Sequence, residues 1–392
     1  MTDSDVNVFT SDIAHRYLQL QLTTDVGPIR LRNLMAHFGS IDAVLSASIS
    51  ELSRVDGVGP RVAESIFRSR SDGLVDREIE RAAACGLRIV CMEETDYPPP
   101  LRNIPDPPIC LYLRGRLTPT DSVAIAIVGT RRCSHYGREQ AVRFGEMLGS
   151  AGFTVVSGLA RGIDGYAHGG ALRGGGRTIA VLGNGLATVY PPEHESLAKQ
   201  IAAAGAVVSE VPVDAQPTPE SFPRRNRIIA GLSLGVIVIE GGKRSGALIT
   251  ARLASEYNRE VFALPGRVDR AEFTAGVNGL IRDGQAKLVT CLEDVLDELR
   301  DVGEIMRRDA SATVPPCEEK RAATSPAVPN LTTHERAVLD AIINGIEEAD
   351  RIVSTTGLGA ARVMSVLTSL QLKGMVRQLA GGRFVHRSRT TR

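Results

Sequence analysis

The chain has 392 residues, of which 43% are hydrophobic and 23% are charged, and its formal net charge is +1. This composition is typical of a globular protein of two to three domains. No apolar run approaches the length of a membrane span, and the acidic N-terminus lacks the basic start and apolar centre of a signal peptide. We therefore expect a cytoplasmic protein that has no membrane partner.

The cysteine pattern argues against two further classes of protein. The six cysteines are scattered along the chain without a CxxC pair and without histidines at metal spacing. Neither a zinc site nor a disulfide framework is therefore predicted. We expect no bound metal.

The charge is distributed unevenly along the chain. Residues 1–120 carry 13 Arg and 16 Asp or Glu, a net charge of −3, whereas residues 121–290 carry 19 Lys or Arg and 15 Asp or Glu, a net charge of +4. Residues 331–392 again carry a net charge of +4, from nine basic and five acidic residues. Such an excess is compatible both with nucleic-acid binding and with an ordinary solvated surface, so the positions of the basic residues must decide.

The N-terminal part of the chain, residues 13–70, shows the patterns of several short helices. Near its middle, residues 52–63 place a Gly-Val-Gly turn between two apolar helix patterns, and residues 25–28 hold a similar Asp-Val-Gly-Pro turn. This arrangement resembles the helix-hairpin-helix motif, in which turn amides and a helix N-terminus meet a DNA phosphate without reading bases. A plain helical turn whose glycines permit tight packing is an equally good interpretation. We predict a helical domain of helix-hairpin-helix or SAM-like type over residues 1–75.

The central part of the chain alternates short apolar runs with helical patterns, which is typical of βαβ units. With earlier strand patterns at 88–91 and 109–113, it predicts an α/β domain with a Rossmann-like, doubly wound parallel sheet over residues 76–300. The remaining predicted strands are 123–128, 154–157, 178–182, 206–209, 234–239, 260–264 and 287–289. Ligands of such sheets collect at the carboxyl ends of the strands, so the residues after each run are site candidates.

The first candidates follow the strand predicted at 123–128. Gly129 allows a ligand to approach the backbone, Thr130 offers a hydroxyl, and Arg131 can hold a phosphate through paired hydrogen bonds. Neither the GxGxxG fingerprint nor the GxxxxGK[ST] pattern is present, which disfavours the usual modes of dinucleotide and ATP binding.

The next strand is followed by Ser157 and Gly158, which offer a hydroxyl and an amide to the same crevice. Asp164 is placed to cap or orient the following helix, and His168 lies four residues later. A serine, a histidine and an aspartate together suggest a hydrolase, but Ser157 is not part of a GxSxG elbow. We therefore expect His168 to be a packing or hydrogen-bonded histidine.

The richest candidate stretch is residues 222–250. It begins with Phe222, a possible wall or base-stacking residue, and an arginine cluster. Three arginines within four residues cannot all be buried without partners, so at least one should face solvent or an anion. After the strand at 234–239, a glycine-rich turn opens another helix and directs backbone amides at whatever anion lies there. The candidate residues of the cluster and the turn are Arg225, Asn226, Arg227, Ser245 and Gly246.

These segments together resemble the DNA-processing protein A family, also called DprA or Smf. The resemblance covers residues 88–300 and is carried, in order, by Gly-Thr-Arg, SGLARGID, LGNG, FPRRNRIIAGLS, RSGALITA and ALPG. It implies a phosphate pocket formed by Gly129, Thr130, Arg131, Ser157, Gly158, Arg225, Asn226, Arg227, Ser245 and Gly246, with Phe222 at its wall.

The same resemblance implies a function. Members of the family bind single-stranded DNA without sequence preference, protect incoming DNA, and pass the strand to the RecA recombinase during natural transformation and recombination. They form homodimers through the sheet domain, and they are not enzymes in this role. No cofactor is implied.

The C-terminal part of the chain predicts a linker and one further domain. Residues 301–330 lack apolar periodicity and are predicted to be a flexible linker. Residues 331–388 show three helix patterns and two strand arms around a Gly-Gly turn, which predicts a winged helix whose wing carries Arg377 and Arg383. The third helix holds mostly core-like residues, so non-specific DNA contact and protein docking are both open to this domain.

Two alternatives to a DNA-binding mediator remain open. The sheet also resembles that of the phosphoribohydrolases, whose PGGxGTxxE stretch carries a catalytic glutamate. The matching segment here, residues 240–250, offers no carboxylate at residues 248–251. The other alternative is an interaction scaffold that works through the winged helix.

Overall fold

The fold is described from a computed structural model of the chain. It describes residues 10–299 and 332–359, and beyond them residues 362–363, 366–367, 369–370, 375–379 and 383–386. The chain divides into two compact units near residue 315, and the predicted linker over residues 301–330 lies outside the described residues. Among the described residues, every helix is too short or too polar to traverse a lipid bilayer.

The first unit begins with a helical region. Gly27 and Gly59 adopt extended backbone and precede Pro28 and Pro60, which open two of the helices, as proline does where the first backbone N–H needs no partner. A reciprocal capping box between Ser48 and the third residue of another helix starts that helix. The helices are α1 Asp12–Leu22, α2 Pro28–Phe38, α3 Ile41–Ser46, α4 Ile49–Leu52, α5 Pro60–Arg68 and α6 Leu74–Ala84.

A nine-stranded sheet forms the centre of the same unit. Its strands are β1 Arg88–Cys91, β2 Cys110–Gly115, β3 Ala124–Gly129, β4 Thr154–Ser157, β5 Thr178–Val181, β6 Ala206–Ser209, β7 Gly235–Ile239, β8 Glu260–Ala263 and β9 Lys287–Leu288. They lie in the order β1-β2-β6-β5-β4-β3-β7-β8-β9. The seven strands β6, β5, β4, β3, β7, β8 and β9 pair in parallel with their neighbours in this series. Strand β2 pairs antiparallel with both β6 and β1.

This strand order creates a switch point between β3 and β7. The chain leaves β3 to build β4, β5 and β6 on one side and later returns to place β7 on the other side. Connections that diverge in this way leave a crevice at the carboxyl ends of the two central strands. The prediction of a Rossmann-like, doubly wound sheet is confirmed, with the addition of two antiparallel strands at one edge.

Helices cover both faces of the sheet because the buried residues alternate between its two sides. Ile125 and Ile127 of β3 pack with one set of helices, whereas Ala124, Ala126 and Val128 pack with the other. The helices of this part are α7 Pro99–Arg102, α8 His135–Ser150, α9 Ile163–Arg173, α10 Glu195–Ala204, α11 Ser221–Leu232, α12 Gly246–Glu256, α13 Ala271–Arg282 and α14 Leu292–Glu298. Short 3-10 turns lie at Pro119–Ser122 and Pro192–His194.

The helical region shares its core with one edge of the sheet. Tyr17 and Leu18 of α1 belong to the same buried cluster as Tyr112 of β2 and Val207 of β6. Gln21 crosses this boundary, since its amide accepts from Cys110 N (2.6 Å) and donates to Glu210 O (2.9 Å). The domain boundary near residue 75 remains a prediction, because the core is continuous there.

The second unit has a small core of its own. Its described elements are α15 Thr333–Ile343, α16 Ala349–Thr356 and a hairpin of β10 Val376–Leu379 with β11 Arg383–His386. The described residues between α16 and the hairpin include helical positions 362–363, 366–367 and 369–370. Val363, Val366, Leu367 and Leu370 are buried there, as predicted for a helix of core-like residues. The side chains of Arg377 and Arg383 in the predicted wing lie outside the description.

Candidate nucleic-acid interface

A cleft of about 1130 Å³ opens at the switch point between β3 and β7. It is bordered by the loop after β3, the first turn of α11, the loop after β7 and the N-terminus of α12. Eight of the predicted site residues line it: Gly129, Thr130, Arg131, Phe222, Arg225, Asn226, Ser245 and Gly246.

The loop after β3 is held in place by backbone contacts. Thr130 N–H donates to Glu240 O (2.9 Å), and the carbonyl of Thr130 accepts from Ile163 N (3.3 Å). A side chain at Gly129 would bring a Cβ within 2.0 Å of Ile239 O, so only glycine fits between the two strands. This fixed loop holds the exposed side chain of Arg131 at the cleft.

An aromatic pair forms one wall of the cleft. The rings of Tyr190 and Phe222 have centroids 5.8 Å apart. The Arg131 guanidinium lies 5.0 Å from the centroid of Phe222, and that of Arg161 lies 5.9 Å from the centroid of Tyr190. Arg161 is in turn paired with Glu193. Sequence reasoning missed Tyr190, although its place after β5 in a proline-rich turn was a usable signal.

The loop after β7 supplies the opposite wall. The carboxylate of Glu240 accepts hydrogen bonds from Ser134 N–H (2.8 Å) and from the Ser134 hydroxyl, which ties this loop to the start of α8. Lys243 and Arg244 are exposed, and neither forms an ion pair with a described residue. Neither was among the predicted site residues, although both lie in the glycine-rich turn of the sequence.

The N-terminus of α12 faces the cleft. Ser245 is its N-cap, and the Ser245 hydroxyl accepts from Ala247 N at 3.4 Å. Gly246 leaves open space where a Cβ would lie, and its carbonyl accepts from the amide of Asn226 at 3.4 Å. The amides of the first turn and the helix dipole make this end of α12 attractive to an anion.

The floor of the cleft holds a buried charged pair. Arg225 is only 5% exposed and donates to the carbonyl of Val181. Burial lowers the pKa of Arg225 to about 10, while the nearby Asp164 acts in the opposite direction. Burial likewise raises the pKa of Asp164, against the effects of Arg225 and of the N–H groups of Ala160 and Gly158. The guanidinium is thus a positive charge fixed beneath the ligand position.

Two of the predicted phosphate contacts serve the framework. The hydroxyl of Ser157 is completely buried and donates to Ile127 O (2.6 Å), and the Gly158 N–H donates to the Asp164 carboxylate (3.1 Å). The expectation that these groups point into the crevice is wrong, because their donors are already occupied within the fold.

Arg227 is placed away from the cleft. Two residues advance a helix by about 200°, so Arg225 and Arg227 leave α11 on opposite sides. Arg227 pairs with the buried Glu210 and donates to Asp106 O (2.6 Å). Its predicted place in the phosphate pocket is therefore wrong, and its charge is used to hold α11 against the loop before β2.

The hydrolase interpretation has no geometric support. His168 is buried, and its Nδ1 lies 2.7 Å from the Thr178 hydroxyl, which confirms a hydrogen-bonded packing role. Ser157 contacts a strand carbonyl instead of this histidine. Within the described ranges, no three His, Cys, Asp or Glu side chains are grouped so that they could hold a metal ion.

The charge of the cleft is positive. Its lining includes the cations Arg131, Arg132, Arg225, Lys243 and Arg244, against two carboxylates, Asp164 and Glu272. Cations from separate loops, free amides and an aromatic wall suit an extended polyanion that carries flat rings.

Comparison with known proteins places these features in context. The family model described as DNA recombination-mediator protein A matches residues 88–300, the model of the DprA winged helix domain matches residues 322–382, and that of the helix-hairpin-helix motif matches residues 24–69. Protein Smf from Synechocystis sp. is 36% identical over 383 residues, which cover 92% of this chain and 96% of that protein.

Two solved structures are also similar. The X-ray structure of DNA processing protein A from Streptococcus pneumoniae is 33% identical, with a TM-score of 0.63, over 76% of this chain and 99% of that chain. The structure of DNA processing protein A from Helicobacter pylori, which was described for its single-stranded DNA binding mode, is 31% identical over 55% of this chain and 97% of that chain, with a TM-score of 0.49.

Proposed function

Because the chain belongs to the DNA recombination-mediator protein A family, also called DprA or Smf, we propose that its cleft binds the sugar-phosphate backbone of single-stranded DNA without reading sequence. The observation that carries this proposal is the convergence of Arg131, Lys243 and Arg244, from two loops, on the open N-terminus of α12. Phosphates bound in this way release counterions, which supplies affinity that is independent of sequence.

The aromatic wall favours a single strand over a duplex. The bases of a single strand are free to lie against the faces of Tyr190 and Phe222, whereas the bases of a duplex are stacked inside it. Each base that stacks on an aromatic ring contributes about 1–3 kcal/mol, for any of the four bases. The Arg131 guanidinium beside Phe222 would meet a phosphate next to a stacked base.

Membership of the family supports a proposal for the biological role. The protein would protect incoming DNA in the cytoplasm and load the RecA recombinase on it during natural transformation and recombination, acting as a homodimer. We infer no chemical step and no cofactor, because the cleft presents donors and cations in place of an activated nucleophile. The nucleotide-processing alternative has little support, since Glu240, the carboxylate that directly precedes the glycine-rich turn in sequence, is buried and occupied by Ser134.

The test is the binding of fluorescent oligo-dT and of a duplex of equal length, measured by anisotropy at several salt concentrations. We expect preference for the single strand. Arg131→Ala should weaken binding about fivefold at about 0.1 M salt and reduce the salt slope by about 0.7, the value for one lost phosphate contact on a single strand. Adding RecA to the same complexes tests loading, since filament assembly should be faster on the strand that carries the protein.

The matched control is Arg282→Ala, which removes an exposed arginine paired with Asp283 outside the cleft. It should leave both affinity and salt slope unchanged. Equal binding of single strand and duplex, or equal isotherms for Arg131→Ala and the control, would contradict the proposal.

A further inference from the structure

A second groove continues the cleft on the other side of α11. It has a volume of about 1080 Å³, and Pro223 and Ile249 line both cavities. The two spaces therefore meet along the first turn of α11 and the first turn of α12. A chain molecule that fills the cleft can therefore reach the groove by crossing Pro223 and Ile249.

One wall of the groove carries exposed cations from helices α11 and α12. The side chains of Arg224 and Arg252 are 59% and 71% exposed. Their ion-pair partners leave them available, since the Glu210 that faces Arg224 is paired more closely with Arg227, and Arg252 meets Glu256 only at 3.4 Å on the helix surface. Both guanidinium groups can thus rotate toward a phosphate without leaving a buried charge unpaired.

The opposite wall is the hairpin turn of the helical region at residues 25–28. The side chain of Arg30 donates to Gly57 O (2.8 Å) and to the carbonyl of Asp25, so it locks this turn to the second hairpin turn. The N-cap of α2 is Gly27, which makes no side-chain cap, so the first amides of α2 are left for another acceptor. The second turn contributes only Asp56 and Gly57 to the groove.

Apolar groups lie between these polar walls. Ile29 is 57% exposed, and Pro28, Leu253 and Tyr257 line the groove beside it. Asp106, one of the carboxylates of the lining, is already held by Arg227 and by the Tyr257 hydroxyl. The aspartates Asp25 and Asp56 also line the groove, against the four arginines Arg30, Arg224, Arg227 and Arg252. A lining that combines arginines with apolar surface suits unpaired bases and their phosphates, whereas a duplex presents mainly phosphates.

From this continuity we infer that a single strand leaving the cleft crosses Pro223 and runs through the groove to the first hairpin turn, residues 25–28. The inference rests on the proposed function of the cleft. It extends the strand path onto the helical region and assigns the contact to the first hairpin turn, although the second turn has the fuller Gly-Val-Gly sequence.

The experiment compares a short oligo-dT of about five nucleotides with a long one of about 15, a range that spans single binding sites for single strands. The double variant Arg224→Ala with Arg252→Ala should bind the short oligomer as the wild type does. Its affinity for the long oligomer should fall about fivefold for each lost contact at about 0.1 M salt, with a smaller salt slope. Arg282→Ala serves again as the control, and thermal unfolding of each variant reports on its fold.

A second readout locates the strand directly. The long oligomer carries a photoreactive iodouracil at one end or the other, and mass spectrometry identifies the crosslinked peptide. One of the two long oligomers, which differ in the end that carries iodouracil, should crosslink to residues 25–30. The short oligomer should crosslink only to residues of the cleft.

The outcomes separate the two proposals. If the wild type fails to bind the short oligomer, the proposed function of the cleft fails. If the short oligomer binds and the double variant also binds the long oligomer normally, with crosslinks elsewhere, the groove path is overturned. Loss of duplex binding alone in the double variant would assign the groove to double-stranded DNA and would equally overturn the inference.

Discussion

At the level of single residues, Gly158 supports the floor of the cleft for a steric reason. Its N–H is committed to Asp164, but a Cβ at this position would lie 2.2 Å from Nη1 of the buried Arg225. The glycine therefore makes the space that keeps a guanidinium beneath the cleft. Gly158, which is predicted to donate directly to a phosphate, thus contributes because it has no side chain.

We expect Gly158→Ala to destabilise the protein by about 1–3 kcal/mol, the usual cost of overpacking a filled core, and to weaken binding of oligo-dT by displacing Arg225. Gly169→Ala is the matched control, because no atom lies within 4 Å of its added Cβ in α9. There the substitution should stabilise the helix by about 0.5–1 kcal/mol. Urea unfolding of both variants is the measurement, and equal midpoints would contradict the steric role.

His168 gives the stability of the fold a defined dependence on pH. Burial lowers its pKa to about 3, with smaller contributions from His194 and Arg225, against an ordinary value of about 6.5 in the unfolded chain. The unfolded state therefore takes up the proton first as the pH falls. The stability contributed by the neutral ring is complete above about pH 6.5 and is lost progressively as the pH falls toward about 3.

We predict that lowering the pH from about 7.5 to about 5 costs the wild type about 2 kcal/mol through this histidine. The variant His168→Gln cannot titrate at this position, so its loss over the same interval should be smaller by that amount. Denaturant unfolding of both proteins at the two pH values measures the difference, and every other histidine cancels in the comparison. Parallel pH profiles would show that His168 is not the titrating group.

At the level of elements, the strands were predictable because each is a short, buried, apolar run. The predicted run at 154–157 coincides with β4, and the predicted run at 206–209 coincides with β6. The crevice at the carboxyl ends of β3 and β7 follows from the same alternation, since parallel strands bring their following loops to one edge. The proximity of Gly129, Arg131 and Ser245 could thus be predicted from the sequence.

The direction of each side chain could not be predicted from the sequence, because it depends on where a helix begins. The apolar residues that indicate a helix here, Ile228, Ile229 and Leu232, begin only at residue 228, whereas α11 begins at Ser221 and already includes the arginine cluster. Because residues two apart lie on opposite sides of a helix, Arg225 lies at the floor of the cleft and Arg227 contacts the buried Glu210. Tyr190 and Lys243 were missed because loops that are distant in sequence bring them to the same cleft as Phe222 and Arg131.

At the level of the whole molecule, the two compact units have separate cores. The buried residues of α15, α16 and the β10–β11 hairpin cluster among themselves, and every described residue that lines the cleft belongs to the first unit. The cations that we assign to DNA binding therefore do not depend on the second unit for their positions. This separation allows the mediator and scaffold interpretations to be tested against each other.

A chain that ends at residue 300 should bind oligo-dT with the affinity and salt slope of the full-length protein, because it keeps the complete cleft and the sheet that forms it. Arg131→Ala in this shortened chain should weaken binding as it does in the full chain. Residues 331–392 alone should bind the single strand much more weakly, although they carry a net charge of +4, since they do not include the residues that line the cleft between β3 and β7. Anisotropy with the same labelled oligomer measures all three proteins. If the shortened chain lost affinity while residues 331–392 bound the strand, the C-terminal unit would be the DNA site and the cleft would need another ligand.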